Sequence, residues 1–411
     1  MSPAHVAFVA YALVVAGAFT RSLAYGMLVI LELSFPIMVG NALRGSLGPF
    51  DPLILYMQIA ICLHVGYLLV RPSLRSKPFR ALVSIPGLYF SAASFLALPW
   101  GLAAALGYEP VLVWLPFVLC LLGLAQTLIT RREVVDIRLD DGVIEGLRRH
   151  PTALDRRGGS PGEGRPVRIV QITDPHLGPF MSVARLRSIC ARAVGDDPDL
   201  VLITGDLMTM ESENAEVVSA ALEPLALLRG RVFACHGNHD QQARAVVSRA
   251  FGKLGIRLLI DEAVVVRTPA GPVQIVGADF VHRERAEHLR RLADAWPRVP
   301  GALRLWLLHD PGAFKHLPEG EADLVLSGHT HGGQIGLVSL GMPWTVVQLL
   351  FSIPDHGLWA RGRDRLYVHR SQGHYGFPIR LGVPAEESVL RVWAPRQEPE
   401  IFAVRSASRW A

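Results

Sequence analysis

The sequence predicts a bundle of about five membrane-spanning helices followed by an α/β domain built on a mostly parallel sheet. Three observations lead there. The first is charge. Between Met1 and Thr130 the only charged side chains are Arg21, Glu32, Arg44, Asp51, Arg71, Arg75, Lys77, Arg80 and Glu109, whereas density is ordinary from Arg131 onward. The second is a set of apolar runs in that front third, near the ~20 residues a helix needs to cross a hydrocarbon core about 30 Å thick. The third is an alternation of strand-like and helical runs beyond residue 166, the pattern of a sheet with covering helices. Together they exclude a single soluble globule, a disordered chain and a fibrous repeat.

The spans come first. Residues 6–20 are apolar and end at Arg21; residues 23–39 are apolar apart from Glu32, with Pro36 predicting a kink. Residues 53–70, 81–106 and 110–130 complete the five. Glu32 sits near the end of its span, which predicts an interfacial or helix-packing role. A cleaved leader is not expected, because residues 1–5 carry no Lys or Arg. Orientation follows from the loop charges. Arg71, Arg75, Lys77 and Arg80 fill one short loop with no acid, Arg131 and Arg132 follow the last span, and loop 107–110 holds only Glu109. The basic side is expected to be cytoplasmic, which puts the N-terminus outside.

The domain limits read 1–130 for the membrane part, 131–165 for a strand and a Gly/Pro/charge linker, 166–395 for the α/β domain and 396–411 for a tail. Residues 133–139 alternate apolar and polar and end in a turn at 140–142. Further strands are expected at 167–173, 200–204, 232–235, 257–260, 263–267, 273–276, 303–308, 324–326, 365–369 and 389–393. Helices are expected at 183–194, 215–228, 241–254 and 283–296. Cys62, Cys120, Cys190 and Cys235 form no CxxC pair, so neither a disulfide framework nor a thiolate metal site is indicated. No stretch joins clustered Arg to exposed aromatics, so no nucleic-acid partner is expected.

Five short motifs follow strand-like runs: Asp174-Pro-His176, Gly205-Asp206, Gly237-Asn238-His239-Asp240, His309-Asp310 and Gly328-His329-Thr-His331. Residues just past the carboxyl ends of strands gather on one edge of an open α/β sheet. Two carboxylates, an amide oxygen and several imidazoles suit Mn, Fe or Zn better than Ca. Seven such ligands with one shared carboxylate serve two divalent ions, which can clamp a phosphate ester and activate a bridging water. Glycines ahead of Asp206, Asn238 and His329 allow tight turns there.

In this order the motifs resemble the calcineurin-like metallophosphoesterase superfamily, over residues 132–395. The longer form GHTHGGQI and the segment ending in Arg380 look like its bacterial membrane-associated branch, the proteins described as transmembrane with a metallophosphoesterase domain. The resemblance implies a two-sheet β-sandwich flanked by helices. It implies that Asp174, His176, Asp206 and His331 hold one metal, and that Asp206, Asn238, His309 and His329 hold the other. It implies that His239 stands beside the phosphate, as proton donor or transition-state stabiliser, with Asp240 orienting its ring. An integral protein of a bacterial inner membrane follows, hydrolysing a phosphoester or pyrophosphate by attack of a metal-bridging hydroxide. The favoured substrate is lipid-linked, such as UDP-2,3-diacylglucosamine. The alternatives are soluble nucleotides or phosphoproteins, or a non-catalytic membrane sensor or scaffold.

Two further features bear on substrate. Arg380 has the chemistry to bind a phosphate, or to form an internal salt bridge. Residues 335–358 carry no charge before Asp355. They read either as a buried connection or as an apolar lip, with Trp344, Leu349, Leu350 and Phe351 touching the bilayer or acyl chains.

Overall fold

A computed structural model describes residues 2–70, 73–139, 142–150, 164–208, 214–374, 376 and 378–393. The linker expected at 156–165, apart from its last two residues, and the tail at 396–411 lie outside the described residues.

The front of the chain is helical: α1 (Pro3–Phe19), α2 (Leu23–Ala42), α3 (Asp51–Val70), α4 (Lys77–Leu96), α5 (Leu98–Ala105) and α6 (Leu115–Thr127). Three of them, α2, α3 and α4, are long and apolar enough to cross a membrane; α1 and α6 are apolar but shorter. Serine side chains start α1 and α2: Ser2 accepts from the His5 N–H and Ser22 from the Tyr25 N–H. Pro36 stays inside α2, buried. The expected span 81–106 divides at Ala97, where Pro99 restarts the chain as α5. The expected span 110–130 is helical only over 115–127. Residues 111–114 form a turn with Leu112 in the left-handed region, and strand pairing takes over at Thr130.

The rest is an α/β sandwich. Its strands are β1 (Thr130–Arg138), β2 (Ile144–Arg149), β3 (Val167–Ile172), β4 (Leu200–Thr204), β5 (Val232–Cys235), β6 (Arg257–Leu258), β7 (Glu262–Thr268), β8 (Gly271–Gly277), β9 (Leu303–Leu307), β10 (Leu324–Ser327), β11 (Gly357–Gly362), β12 (Asp364–Val368) and β13 (Ala385–Trp393). One sheet runs β1-β13-β3-β4-β5-β6 and the other β2-β11-β12-β10-β9-β8-β7. Strands β3 to β6 are parallel, as are β8, β9, β10 and β12. The sheets pack face to face through Ile169, Leu202, Phe233, Leu305, Leu326 and Leu390. Helices α7 (Val183–Gly195), α8 (Ala215–Leu222) and α9 (Arg244–Leu254) cover the first sheet, and α10 (Arg285–Ala295) covers the second. A short helix α11 (Val346–Phe351) follows the last ligand motif. Strands β2 and β11 were not expected. Ile144–Arg149 is an edge strand with mostly polar residues, and Gly357–Gly362 holds two glycines, so neither shows a hydrophobic strand pattern.

The helical bundle and the sandwich are fused rather than tethered. Helix α6 runs almost directly into β1, which pairs in parallel with β13 over nine residues. The Arg380 N–H donates to the Gly123 carbonyl (3.1 Å), the Gly382 N–H to Gln126 Oε1 (2.8 Å), and Arg185 to the Thr127 carbonyl (2.9 Å). Arg80 donates to the Pro179 carbonyl. Ile379 and Ile335 pack with Ala92, Ala93 and Cys120 of the bundle.

Candidate metal centre

The parallel strands deliver the ligand motifs to one edge. Asp174 and His176 follow β3, Asp206 follows β4, Asn238 and His239 follow β5, His309 follows β9, and His329 and His331 follow β10. Five of these residues, Asp174, His176, Asp206, His329 and His331, have positive φ, between 47° and 68°. That conformation costs a non-glycine residue on the order of 1–3 kcal/mol and marks sites where function fixes the backbone. The glycines ahead of them serve close approach. A Cβ on Gly205, itself at φ +89°, would stand 2.4 Å from the Gly237 nitrogen, and one on Gly237 would stand 2.1 Å from Asp206 Oδ1. The two loops therefore touch, which brings Asp206 against Asn238.

Two groups of donors result: Asp174, His176 and His331, and Asp206, His309 and His329, with the donor atoms of each group within 4.8 Å of one another. His176 Nε2 lies 3.2 Å from His331 Nε2. His309 Nε2 lies 3.1 Å from both Asn238 Oδ1 and His329 Nδ1. Asp206 stands between the groups: its Oδ2 is 3.3 Å from His309 Nε2 and 3.7 Å from His176 Nε2. Outer partners fix the donors, as metal sites require. Thr173 Oγ1 (2.6 Å), Ser371 Oγ (3.1 Å) and the His329 N–H (3.0 Å) donate to Asp174, and His309 Nδ1 donates to the Thr204 carbonyl (2.7 Å).

The electrostatics fit a cation. Burial pushes Asp174 up to about 6 and holds the imidazoles of His176 and His329 down to about 3 and about 4, so these rings stay neutral with a lone pair available. Burial opposes charge at Asp206 too, but the facing His309 and His176 hold its carboxyl well below the usual range. His309 answers it. Burial lowers its imidazole, yet Asp206 outweighs burial and lifts it to about 10. The cluster thus draws in positive charge, and its carboxylate, amide and imidazole donors suit a transition metal.

One sequence reading needs correction. Arg380 is fully buried, and its guanidinium donates to the backbone carbonyls of His331 (3.0 Å), Arg370 (2.7 Å) and Gly373 (2.6 Å). It braces the loop carrying His331 instead of reaching a substrate phosphate. Asp240 accepts from the N–H groups of Leu207 (3.0 Å) and Gly237 (2.9 Å), which ties the Asp206 and Asn238 loops together beside His239. His239 is half-buried, its N–H donates to Asp206 Oδ1 (2.8 Å), and its ring stands 5.2 Å from that of His176. It belongs to neither donor group. Asp310 caps the turn after β9 by accepting from the Gly312 N–H (2.7 Å). Ser371, which follows β12, was not singled out in the sequence; its place past a strand end is the signal that finds it.

A cleft of about 210 Å³ opens over the donors, lined by His176, Asp206, His239, His329, His331 and Val347. Val347 belongs to α11, whose Leu349, Leu350 and Phe351 are exposed, as is Trp344.

The sequence profile of the calcineurin-like phosphoesterases matches residues 167–333, the stretch that carries all the donors. An uncharacterized metallophosphoesterase of Helicobacter pylori is 30% identical over 268 residues, covering 62% of this chain and 67% of the relative. The chain belongs to the calcineurin-like phosphoesterase family. As such it is a metal-dependent phosphoric ester hydrolase, and the family's dinuclear divalent centre corresponds to the two donor groups. Among other relatives, phosphodiesterase YaeI of Escherichia coli is 29% identical over 233 residues, 55% of this chain and 82% of the relative. The transmembrane protein with metallophosphoesterase domain of Danio rerio is 29% identical over 234 residues, 54% of this chain and 52% of the relative. The chain thus matches about half the length of the latter.

Proposed function

We propose that this phosphoesterase is anchored in the membrane and hydrolyses a lipid-linked phosphoester. The observation that supports the reading is the seating of the cleft on the bundle. The loop from His331 to Ile335 runs from a metal donor straight onto α4 and α6, and Arg380 and Gly382 bond that surface. A phosphate held there lies at the level of the membrane surface.

We assign one metal to Asp174, His176, Asp206 and His331 and the other to Asp206, Asn238, His309 and His329. Bound metals of the Mn, Fe or Zn class supply charge that binds the phosphate and lowers the pKa of water. The chain's own residues do the rest. Asp206 faces both donor groups and fixes their separation. His239 stands over the cleft and donates a proton toward the leaving oxygen. The bundle below and α11 beside the cleft limit access from bulk water. The test is turnover of bis-p-nitrophenyl phosphate by the full chain with added Mn²⁺. Metal-dependent release of nitrophenol is expected, and a scaffold that only binds would show none.

Helix α11 begins beside Ile335, which packs on the bundle (the Val346 N–H donates to the Ile335 carbonyl, 2.9 Å), so its exposed side chains reach the bilayer surface. Burying one such side chain contributes roughly 1.5–3 kcal/mol. Replacing Leu349 and Phe351 together with Ser is expected to lower kcat/KM for a vesicle-borne phosphoester at least about tenfold, because tenfold needs only about 1.4 kcal/mol. A soluble ester should be turned over normally. Equal losses on both substrates would make α11 part of the fold instead.

We infer five crossings, with α1 and α6 completing the bundle, and a cytoplasmic catalytic domain. The basic loop ends at Arg80, which bonds Pro179 of the catalytic domain, so the two share one side. A reporter fused after Arg132 should read cytoplasmic; alkaline phosphatase activity from that fusion would invert the orientation.

A further inference from the structure

A second space lies under the metal cleft. Helices α2, α3 and α4 enclose a cavity of about 410 Å³, closed on the catalytic side by His176, Phe180 and His374. His176 also lines the cleft, so one ring separates the two spaces. The cavity walls are chiefly hydrocarbon, with Leu28, Leu31 and Phe35 on α2, Leu68 on α3, and Leu88 and Phe95 on α4.

We propose that this cavity receives the hydrocarbon chain of an amphipathic phosphoester drawn from the leaflet on the catalytic side, while its phosphate occupies the adjoining cleft. The inference rests on the phosphoesterase reading of that cleft and adds where the substrate's tail is held. Size is the first argument: the volume falls within the ~300–1,000 Å³ of ligand sites. Depth is the second. Tyr25 and Phe35 bound the cavity along α2, and ten residues of helix rise about 15 Å, half of a hydrocarbon core about 30 Å thick. Along α2 the cavity is therefore about one leaflet deep, and there it starts at the catalytic side, because Arg21 just before α2 bonds the Leu69 carbonyl at the end of α3. Access is the third. Leu28 and Leu31 line the cavity and are 50% and 61% exposed, so its wall is open between the helices. Glu32 also lines it, in the middle of α2 rather than near an end as its sequence position suggested, and intramembrane acids characteristically face such pathways.

The test uses the full chain in lipid nanodiscs with Mn²⁺ and two phosphodiesters that share a leaving group, hexadecyl p-nitrophenyl phosphate and ethyl p-nitrophenyl phosphate. Partition into the bilayer favours the hexadecyl ester for every variant equally, so the readout is the ratio of the two kcat/KM values. Leu28→Trp and Leu68→Trp, which fill the cavity from two helices, should each lower that ratio at least about tenfold. Met38→Trp, at an exposed position of α2 outside the cavity lining, should leave it unchanged. A ratio that stays within twofold in both cavity variants, with ethyl ester turnover intact, overturns the cavity assignment and leaves the phosphoesterase reading standing. A second measurement does not depend on turnover. A hexadecyl phosphate with a terminal diazirine, photolysed with the EDTA-treated wild-type chain, should label α2 between Leu28 and Phe35 and α3 at Leu68. Labelling confined to outward positions such as Leu13 and Met38 would overturn the proposal. Absence of turnover with both esters would remove the phosphoesterase reading, while the label would still report on the cavity.

Discussion

Asp206→Asn is expected to abolish phosphoester turnover and to strip metal from the chain. Among the described residues its carboxylate is the donor that faces both groups, 3.3 Å from His309 Nε2 and 3.7 Å from His176 Nε2. An amide keeps the shape but brings no negative charge to place between two cations. Asn also tolerates the left-handed backbone that Asp206 adopts at φ 52°, so the substitution tests charge rather than folding. Losing an outer partner of a metal ligand typically costs 10–100-fold. Losing a shared ligand should exceed that by at least about tenfold. Metal content by inductively coupled plasma mass spectrometry and turnover of bis-p-nitrophenyl phosphate are the measurements. A variant with full metal and normal turnover would remove Asp206 from the ligand set.

His239→Ala should separate chemistry from metal binding. Its ring belongs to neither donor group, and what it gives Asp206 is a main-chain N–H that alanine retains. Metal content should therefore stay near the wild-type value while the rate falls about 10²–10⁴-fold, the usual range for a lost general acid. The loss should shrink for esters with better leaving groups, which need less protonation. If metal falls along with the rate, His239 is a ligand.

The candidate donors were legible in the sequence because each is a local feature, a polar residue placed directly after an apolar strand run. The strand order that gathers them follows from the parallel crossovers. What Arg380 does was not legible. An arginine beside a phosphate site reads as a phosphate ligand, but here the turns after β10 and β12 leave carbonyls buried together, and the guanidinium satisfies them. Asp240 makes contacts its motif did not suggest: the close approach of the Gly205 and Gly237 loops leaves two amides for it to bind. The cavity under His176 was beyond reach for another reason. Its lining comes from three helices and two distant loops, each of which looks in sequence like ordinary lipid-facing or turn residues.

The pairing of β1 with β13 has a kinetic consequence. Because the last helix of the bundle continues into an edge strand of the α/β sheet, the cleft cannot swing away from the bundle. In the proposed membrane-anchored state its height above the bilayer is set by the fold. For any substrate resident in that bilayer, encounter is a search in two dimensions. The rate then tracks surface density, the number of substrate molecules per unit of membrane area, not their amount per volume of sample. Diluting the substrate with inert lipid should slow such a reaction, and diluting the whole suspension with buffer should not.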